Sequence, residues 1–350
     1  MPDPIAALTF APAPGYLDAA TCGLPTSATA DAMRAAVDDW QAGRADLAVY
    51  DDAVDRSRRA YARLVGVGPQ DVAIGSQTSA LVGLVAASLP DGAEVLTVTD
   101  DFTSVVFPFL AHTDRGVTVR HVPLAELADA IRPRTALVAF SLVQSRDGAV
   151  ADADAIVRAA AAVGALTLCD VTQAGWMPVD AGRFDITVCS AYKWLCAPRG
   201  VAFLTVARPA LAQLRPLHAG WYAGDDRWGS CYGPHMRLAD DARRLDVSPA
   251  WLCWVGAAPA LEAWAGADAH AVRDHAVGLA DALLSRIGLA PRGSAIVSLP
   301  DPDERLAGAL RAAGCRVAGR AGGVRLGFHA WNDRDDVERA GGALVGVRAA

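Results

Sequence analysis

Leu166-Thr-Leu-Cys-Asp170-Val-Thr-Gln173 and Ile186-Thr-Val-Cys-Ser190-Ala-Tyr192-Lys193-Trp194 are two short apolar runs, each closing on an ionisable side chain. Runs of this length and composition read as strands covered on both faces, as in a parallel sheet. Ligands of open parallel sheets sit beyond the carboxyl ends of the strands, which is where Asp170 and Lys193 fall. Their separation of 23 positions matches one strand-to-strand connection, so both can reach a single cleft. A carboxylate in that position needs a cation or several hydrogen bonds. Taken singly, either residue is also what a structural ion pair looks like.

Outward from this pair, further strands are expected near residues 94–99, 117–122, 136–143 and 201–206, alternating with helices near 78–89, 105–113 and 153–163. Gly164 is placed to end the last of these helices. The alternation predicts an α/β fold with a mainly parallel sheet between helices. Ile74-Gly-Ser-Gln-Thr78-Ser79 sets small polar residues at a helix start, where free N–H groups and the helix dipole favour a phosphate. After residue 207 the texture changes. Residues 215–249 are rich in aromatics, glycine and proline without periodicity, as in a long functional loop. Beyond them come a long helix and two short strands near 295–299 and 324–329, forming a compact α+β unit. The expected division is an N-terminal arm (1–15), a large domain (16–248) and a small C-terminal domain (249–350).

The chain has 350 residues, 53% of them hydrophobic and 20% charged, which suits a globular enzyme and excludes a disordered acidic protein. A formal net charge of −7 with dispersed arginines gives no electrostatic basis for nucleic-acid binding. No apolar run approaches about 18 residues, and residues 1–15 lack a basic start followed by an apolar stretch. No membrane partner and a cytoplasmic location are expected. The seven cysteines form no CxxC pair and no metal-ligand spacing, so no metal is expected. Cys169, Cys189 and Cys196 read as small buried hydrophobes.

A lysine for a Schiff base, an acid for a pyridinium nitrogen and a helix start for a phosphate together meet the needs of pyridoxal 5′-phosphate (PLP). Here the chain resembles the fold-type-I, class V aminotransferase-like PLP enzymes over nearly its full length. Tyr16-Leu-Asp-Ala-Ala-Thr-Cys-Gly-Leu-Pro25 resembles the family's opening segment, Asp170-Val-Thr-Gln173 its pyridine-nitrogen motif, and Ser190-Ala-Tyr-Lys193 its lysine motif. The resemblance implies a seven-stranded sheet and a homodimer whose clefts lie at the interface. It also implies that Lys193 holds the cofactor and moves protons, Asp170 keeps the ring nitrogen protonated and Gln173 bonds the phenolic oxygen. Thr78, Ser190, Tyr192 and, more weakly, Ser79 would hold the phosphate, and Arg325 would grip a substrate α-carboxylate. Tyr192 and Phe102 both stand where many relatives carry histidine. Phe102 can stack on a ring but cannot transfer a proton, which leaves Lys193 as the main proton carrier.

The segment from Gly220 to Pro234 resembles the hercynylcysteine sulfoxide lyases of ergothioneine biosynthesis. That resemblance implies β-elimination of a C–S bond in an amino-acid substrate, releasing a sulfenic acid, pyruvate and ammonia. Such a substrate carries a trimethylammonium group, for which aromatic faces beside carboxylates make a site. Trp221, Tyr222, Trp228, Asp225 and Asp226 are the candidates, and packing against a second subunit is the other reading of the same aromatics. A cysteine desulfurase would need a nucleophilic thiol, for which Cys315, with Arg316 beside it, is the candidate by position. Another class V activity, and a catalytically inactive scaffold with the same fold, are further alternatives.

Overall fold

The structure, a computed structural model, describes residues 8–349, so residues 1–7 of the expected N-terminal arm lie outside the described residues. In chain order the elements are α1 (Ser27–Gln41), α2 (Leu47–Leu64), β1 (Val72–Gly75), α3 (Thr78–Ser88), β2 (Glu94–Val98), α4 (Thr103–Leu110), β3 (Thr118–Val122), β4 (Thr135–Ser141), α5 (Ala153–Val163) and β5 (Leu166–Asp170). They continue with β6 (Ile186–Ser190), β7 (Ala202–Val206), α6 (Arg208–Leu211), α7 (Trp251–Gly266), α8 (Ala269–Arg286), β8 (Ile296–Pro300), α9 (Arg305–Ala312), β9 (Ala318–Arg320), β10 (Gly323–Gly327) and α10 (Arg334–Ala349).

Seven strands form one sheet in the order β1-β7-β6-β5-β4-β2-β3. All neighbours are parallel except β7, which runs antiparallel to β1 and β6. Side chains alternate between two cores because successive residues of a strand point to opposite faces. Leu96, Val138, Phe140, Cys169 and Phe203 enter one core. Val95, Leu137, Ala139, Leu168 and Leu204 enter the other. Such double burial is why these strands read as unbroken apolar runs. Asp152 caps α5 by accepting from Ala155 N, and Gly164 ends it at φ 74°, a left-handed conformation that costs glycine least.

The C-terminal sheet is antiparallel, in the order β8-β10-β9, and so has one strand more than the two expected there. Its core contains Leu283, Val297, Leu310, Val324 and Leu326. Packing crosses the boundary expected at residue 249. Trp254, Leu261 and Trp264 of α7 join the large core with Tyr61 of α2 and Phe203 of β7, and Trp254 meets the Phe203 ring edge-on at 5.4 Å. In the other direction, Leu17 sits in the C-terminal core, and Tyr16 and Asp18 bridge to Arg316 and Gly327. The chain thus crosses between the two cores near both ends, and residues 16–23 pass the carboxyl end of the large sheet. No helix among the described residues is long and apolar enough to cross a membrane.

Candidate active site

Three chain ends converge beyond the carboxyl edge of the sheet: the last residue of β5, the loop after β6, and the start of α3. They line a cleft of about 220 Å³. Asp170 ends β5 and is 4% exposed. One carboxylate oxygen accepts from Thr172 N at 2.8 Å. Burial pushes its pKa up to about 6, opposed by the Thr172 bonds and by Lys193. Lys193, three residues past β6, is 6% exposed. Burial pushes it down to about 8, with Asp170 opposing and Arg325 and Arg320 assisting. Its Nζ lies 5.0 Å from the centre of the Phe102 ring and 5.7 Å from that of Tyr192.

The lysine loop is held against the N-terminal segment. Gly23 N donates to the Tyr192 carbonyl at 2.9 Å, and a Cβ at Gly23 would come within 1.8 Å of the Lys193 carbonyl oxygen. Only glycine fits there. Gln173 donates from Nε2 to the Ala20 carbonyl at 2.9 Å and accepts from Trp194 Nε1 at 2.6 Å. It ties the same two segments together and is not among the residues that line the cleft. Phe102 caps α4, with its N–H donating to Asp101 Oδ1 at 2.7 Å. Asp101 is buried and also accepts from Ser141 N at 2.9 Å and Ser141 Oγ at 2.6 Å. Asp101 therefore anchors the ring above Lys193 to the end of β4, a role not read from the sequence.

At the other end of the cleft, Thr78 donates from N to Ser190 Oγ at 3.1 Å, and its Oγ1 lies 2.8 Å from the same atom. Ser190 N in turn donates to Thr172 Oγ1 at 2.9 Å. Gln77, the cap residue of α3, is extended and makes no side-chain capping bond, so early N–H groups of the helix are open to an anion. Ser76 and Gln77, from the stretch expected to meet a phosphate, also line the cleft, as do Ser104, Thr172 and Arg199, which were given no role in the sequence. Arg199, whose guanidinium lies 5.2 Å from the Tyr192 ring centre, was signalled by Pro198-Arg199-Gly200 following the lysine motif. Ser79 is exposed and does not line the cleft.

Arg325 lies on β10 and is 2% exposed. It donates from Nη2 to Thr21 Oγ1 at 2.8 Å and from Nη1 to the Ser145 carbonyl, while its Nε has no partner. Burial, and then the Arg320 charge, push its pKa down to about 10. The aromatic loop lies against α2. Tyr222 is fully buried; its hydroxyl donates to Asp51 Oδ1 at 3.0 Å, and Arg227 sits 4.5 Å over its ring while pairing with Asp55. Both its ring and its hydroxyl are thus occupied by packing on α2. Trp221 packs against Tyr222 and Trp228, and Trp228, Asp225 and Asp226 are exposed. None of these five residues lines the cleft of the single chain.

Cys315 is buried, and burial raises its pKa. The arginine that opposes the rise is Arg339, not the neighbouring Arg316 as expected. His329 was passed over in the sequence. It is stacked 5.3 Å from Trp194 and 4.0 Å from Trp331. Because the Trp194 carbonyl can only accept, Nε2 carries the proton across their 3.0 Å contact, and Nδ1 accepts from Ala330 N. Burial holds this histidine neutral, with a pKa near 3.

The family model Aminotransferase class-V matches residues 16–311. An uncharacterized aminotransferase of Bacillus subtilis (strain 168) is 29% identical over 305 residues, which are 81% of each chain. Isopenicillin N epimerase of Streptomyces clavuligerus is 32% identical over 224 residues, 56% of each chain. Among solved structures, the cystine C–S lyase C-DES in complex with cysteine persulfide superposes with a TM-score of 0.84 at 19% identity, covering 95% of this chain and 97% of that one.

Proposed function

The chain belongs to the class V aminotransferase family, and we propose that it is a PLP-dependent C–S lyase that cleaves hercynylcysteine sulfoxide by β-elimination. PLP, when bound, supplies an aldehyde for an amine and an electron sink for a carbanion at the α-carbon. The cleft residues suit it: an amine at Lys193, a buried acid at Asp170, and Thr78 and Ser190 before the open N–H groups of α3. Asp170 would hold the ring nitrogen protonated, and Tyr192 would sit beside the phosphate. Lys193 carries the reading, because a buried lysine lowered to about 8 is partly the free amine near neutral pH and can take the α-proton. Above it is Phe102, which moves no proton.

Elimination suits such a site. The α-proton goes to Lys193 Nζ, the electron pair expels sulfur from the β-carbon as a sulfenate, and the sulfenate takes a proton from water. The remaining three carbons hydrolyse to pyruvate and ammonia, and a reductant converts the sulfenic acid to ergothioneine. A sulfenate leaves without an acid to assist it, so the lack of a second proton donor at position 102 is no obstacle. In a homodimer, Trp221, Trp228, Asp225 and Asp226 would meet the trimethylammonium group in the partner's cleft. The desulfurase reading is weakened by the buried, unactivated Cys315.

The test is to incubate the PLP-loaded protein with hercynylcysteine sulfoxide and a mild reductant. Pyruvate together with ergothioneine supports the lyase. Alanine from free cysteine, with nothing from the sulfoxide, establishes a desulfurase. A protein that stays colourless when PLP is added is an inactive scaffold.

A further inference from the structure

Arg320 and Arg325 face each other across a tight hairpin. Ala321 and Gly322 connect β9 to β10 with φ of 48° and 73°, the positive values that a two-residue type I′ turn requires at both positions. Arg320 pairs with Gly323, and Arg325 is two residues further along β10, opposite Ala318. Residues two apart share a face, so the two arginines are diagonal neighbours on one side of the sheet. Both point at Thr21, whose Oγ1 lies 2.8 Å from Arg325 Nη2 and 3.3 Å from Arg320 Nη2.

Like charges held this way repel, and little in the chain offsets them. Neither arginine makes an ion pair among the described residues. The nearby carboxylate, Asp18, is buried and bonded to Thr21, and one of its oxygens has no partner. Arg325 is buried with its Nε unpartnered, whereas Arg320 is exposed, and its charge acts on both Lys193 and Tyr192. A chain of net charge −7 thus sets two guanidinium groups that make no ion pair close to Lys193.

We propose that these arginines form a two-anion clasp, Arg325 taking the α-carboxylate and Arg320 a second acid group on the substrate side chain. The enzyme then prefers amino acids with two carboxylates. This rests on the amino-acid substrate reading above, and hercynylcysteine sulfoxide satisfies it through the carboxylate of its histidine-derived half.

The test compares S-carboxymethyl-L-cysteine with its neutral amide, S-carbamoylmethyl-L-cysteine, by calorimetric binding to the PLP-loaded protein. The two differ in charge and hardly in shape. The native protein should bind the acid about tenfold more tightly, the effect of one charge-assisted hydrogen bond at a partly exposed site. Arg320→Gln should level the two affinities by weakening only the acid, and Arg320→Lys should keep part of the preference. Equal affinities or no binding in the native protein, or a preference that survives Arg320→Gln, overturns the clasp. Failure of the lyase reading shows separately, as absence of pyruvate from the sulfoxide, and leaves the ligand preference measurable.

Discussion

Replacing Asp170 with asparagine tests whether the site holds its carboxylate at the expense of the fold. Asp170 is pushed up to about 6 by burial, against about 3.9 in an unfolded chain. The folded state therefore binds this proton more tightly than the unfolded state does. Below about pH 3.9 the group costs nothing, and above about pH 6 its whole cost is present. A gap of about two pK units is worth about 3 kcal/mol, with the opposing Lys193 charge already contained in it. Asparagine keeps the acceptor used by Thr172 N and carries no charge. Cofactor-free Asp170→Asn should thus be more stable than the cofactor-free native protein by about 1–3 kcal/mol near pH 7.5, with a smaller gain near pH 5. Urea denaturation at the two pH values and matched protein concentration measures both quantities. A variant less stable at the higher pH, or a gain that does not grow with pH, refutes the reasoning. The loaded enzyme should show the opposite ranking, with turnover greatly slowed because an amide does not keep the ring nitrogen protonated.

Lys193→Ala should abolish turnover and remove the visible band that the protein shows after loading with PLP; native rates in the variant would sink the mechanism. Ser190→Ala removes the hydroxyl shared by Thr78 N and Thr78 Oγ1, and should weaken PLP binding about tenfold, as read by titration of the apoprotein. Tyr222→Phe loses the bond to Asp51, so denaturation should show a loss of about 1 kcal/mol. Its kcat/KM should stay at the native value, and a large fall there would restore Tyr222 to the substrate site.

Much of the site was legible because its residues follow buried strands. Strand-end positions announce themselves when an apolar run closes on a charge, and Asp170 and Lys193 did so. The start of α3 was legible for a similar reason, since small polar residues open an apolar helix. What failed to show was support given by backbone and distant side chains. Asp101 resembles any loop carboxylate until Ser141 is seen beneath it, and Gly23 resembles any glycine until the Lys193 carbonyl lies against it. The composition of the aromatic loop does not separate its members: Asp51 and Asp55 on α2 take Tyr222 and Arg227 into packing, while Trp228, Asp225 and Asp226 stay exposed.

The sequence by itself determined the alternation of buried strands and helices, the fold class that follows from it, and the two strand-end residues, Lys193 and Asp170, that line one cleft. These depend on local pattern, and local pattern is written along the chain. Tertiary structure alone decided that α7 belongs to the large core, that residues 16–23 seal the lysine loop, and that Arg320 stands beside Arg325. Each of these joins residues far apart in sequence, or across a hairpin register that one residue's slip would invert, and no periodicity records such contacts.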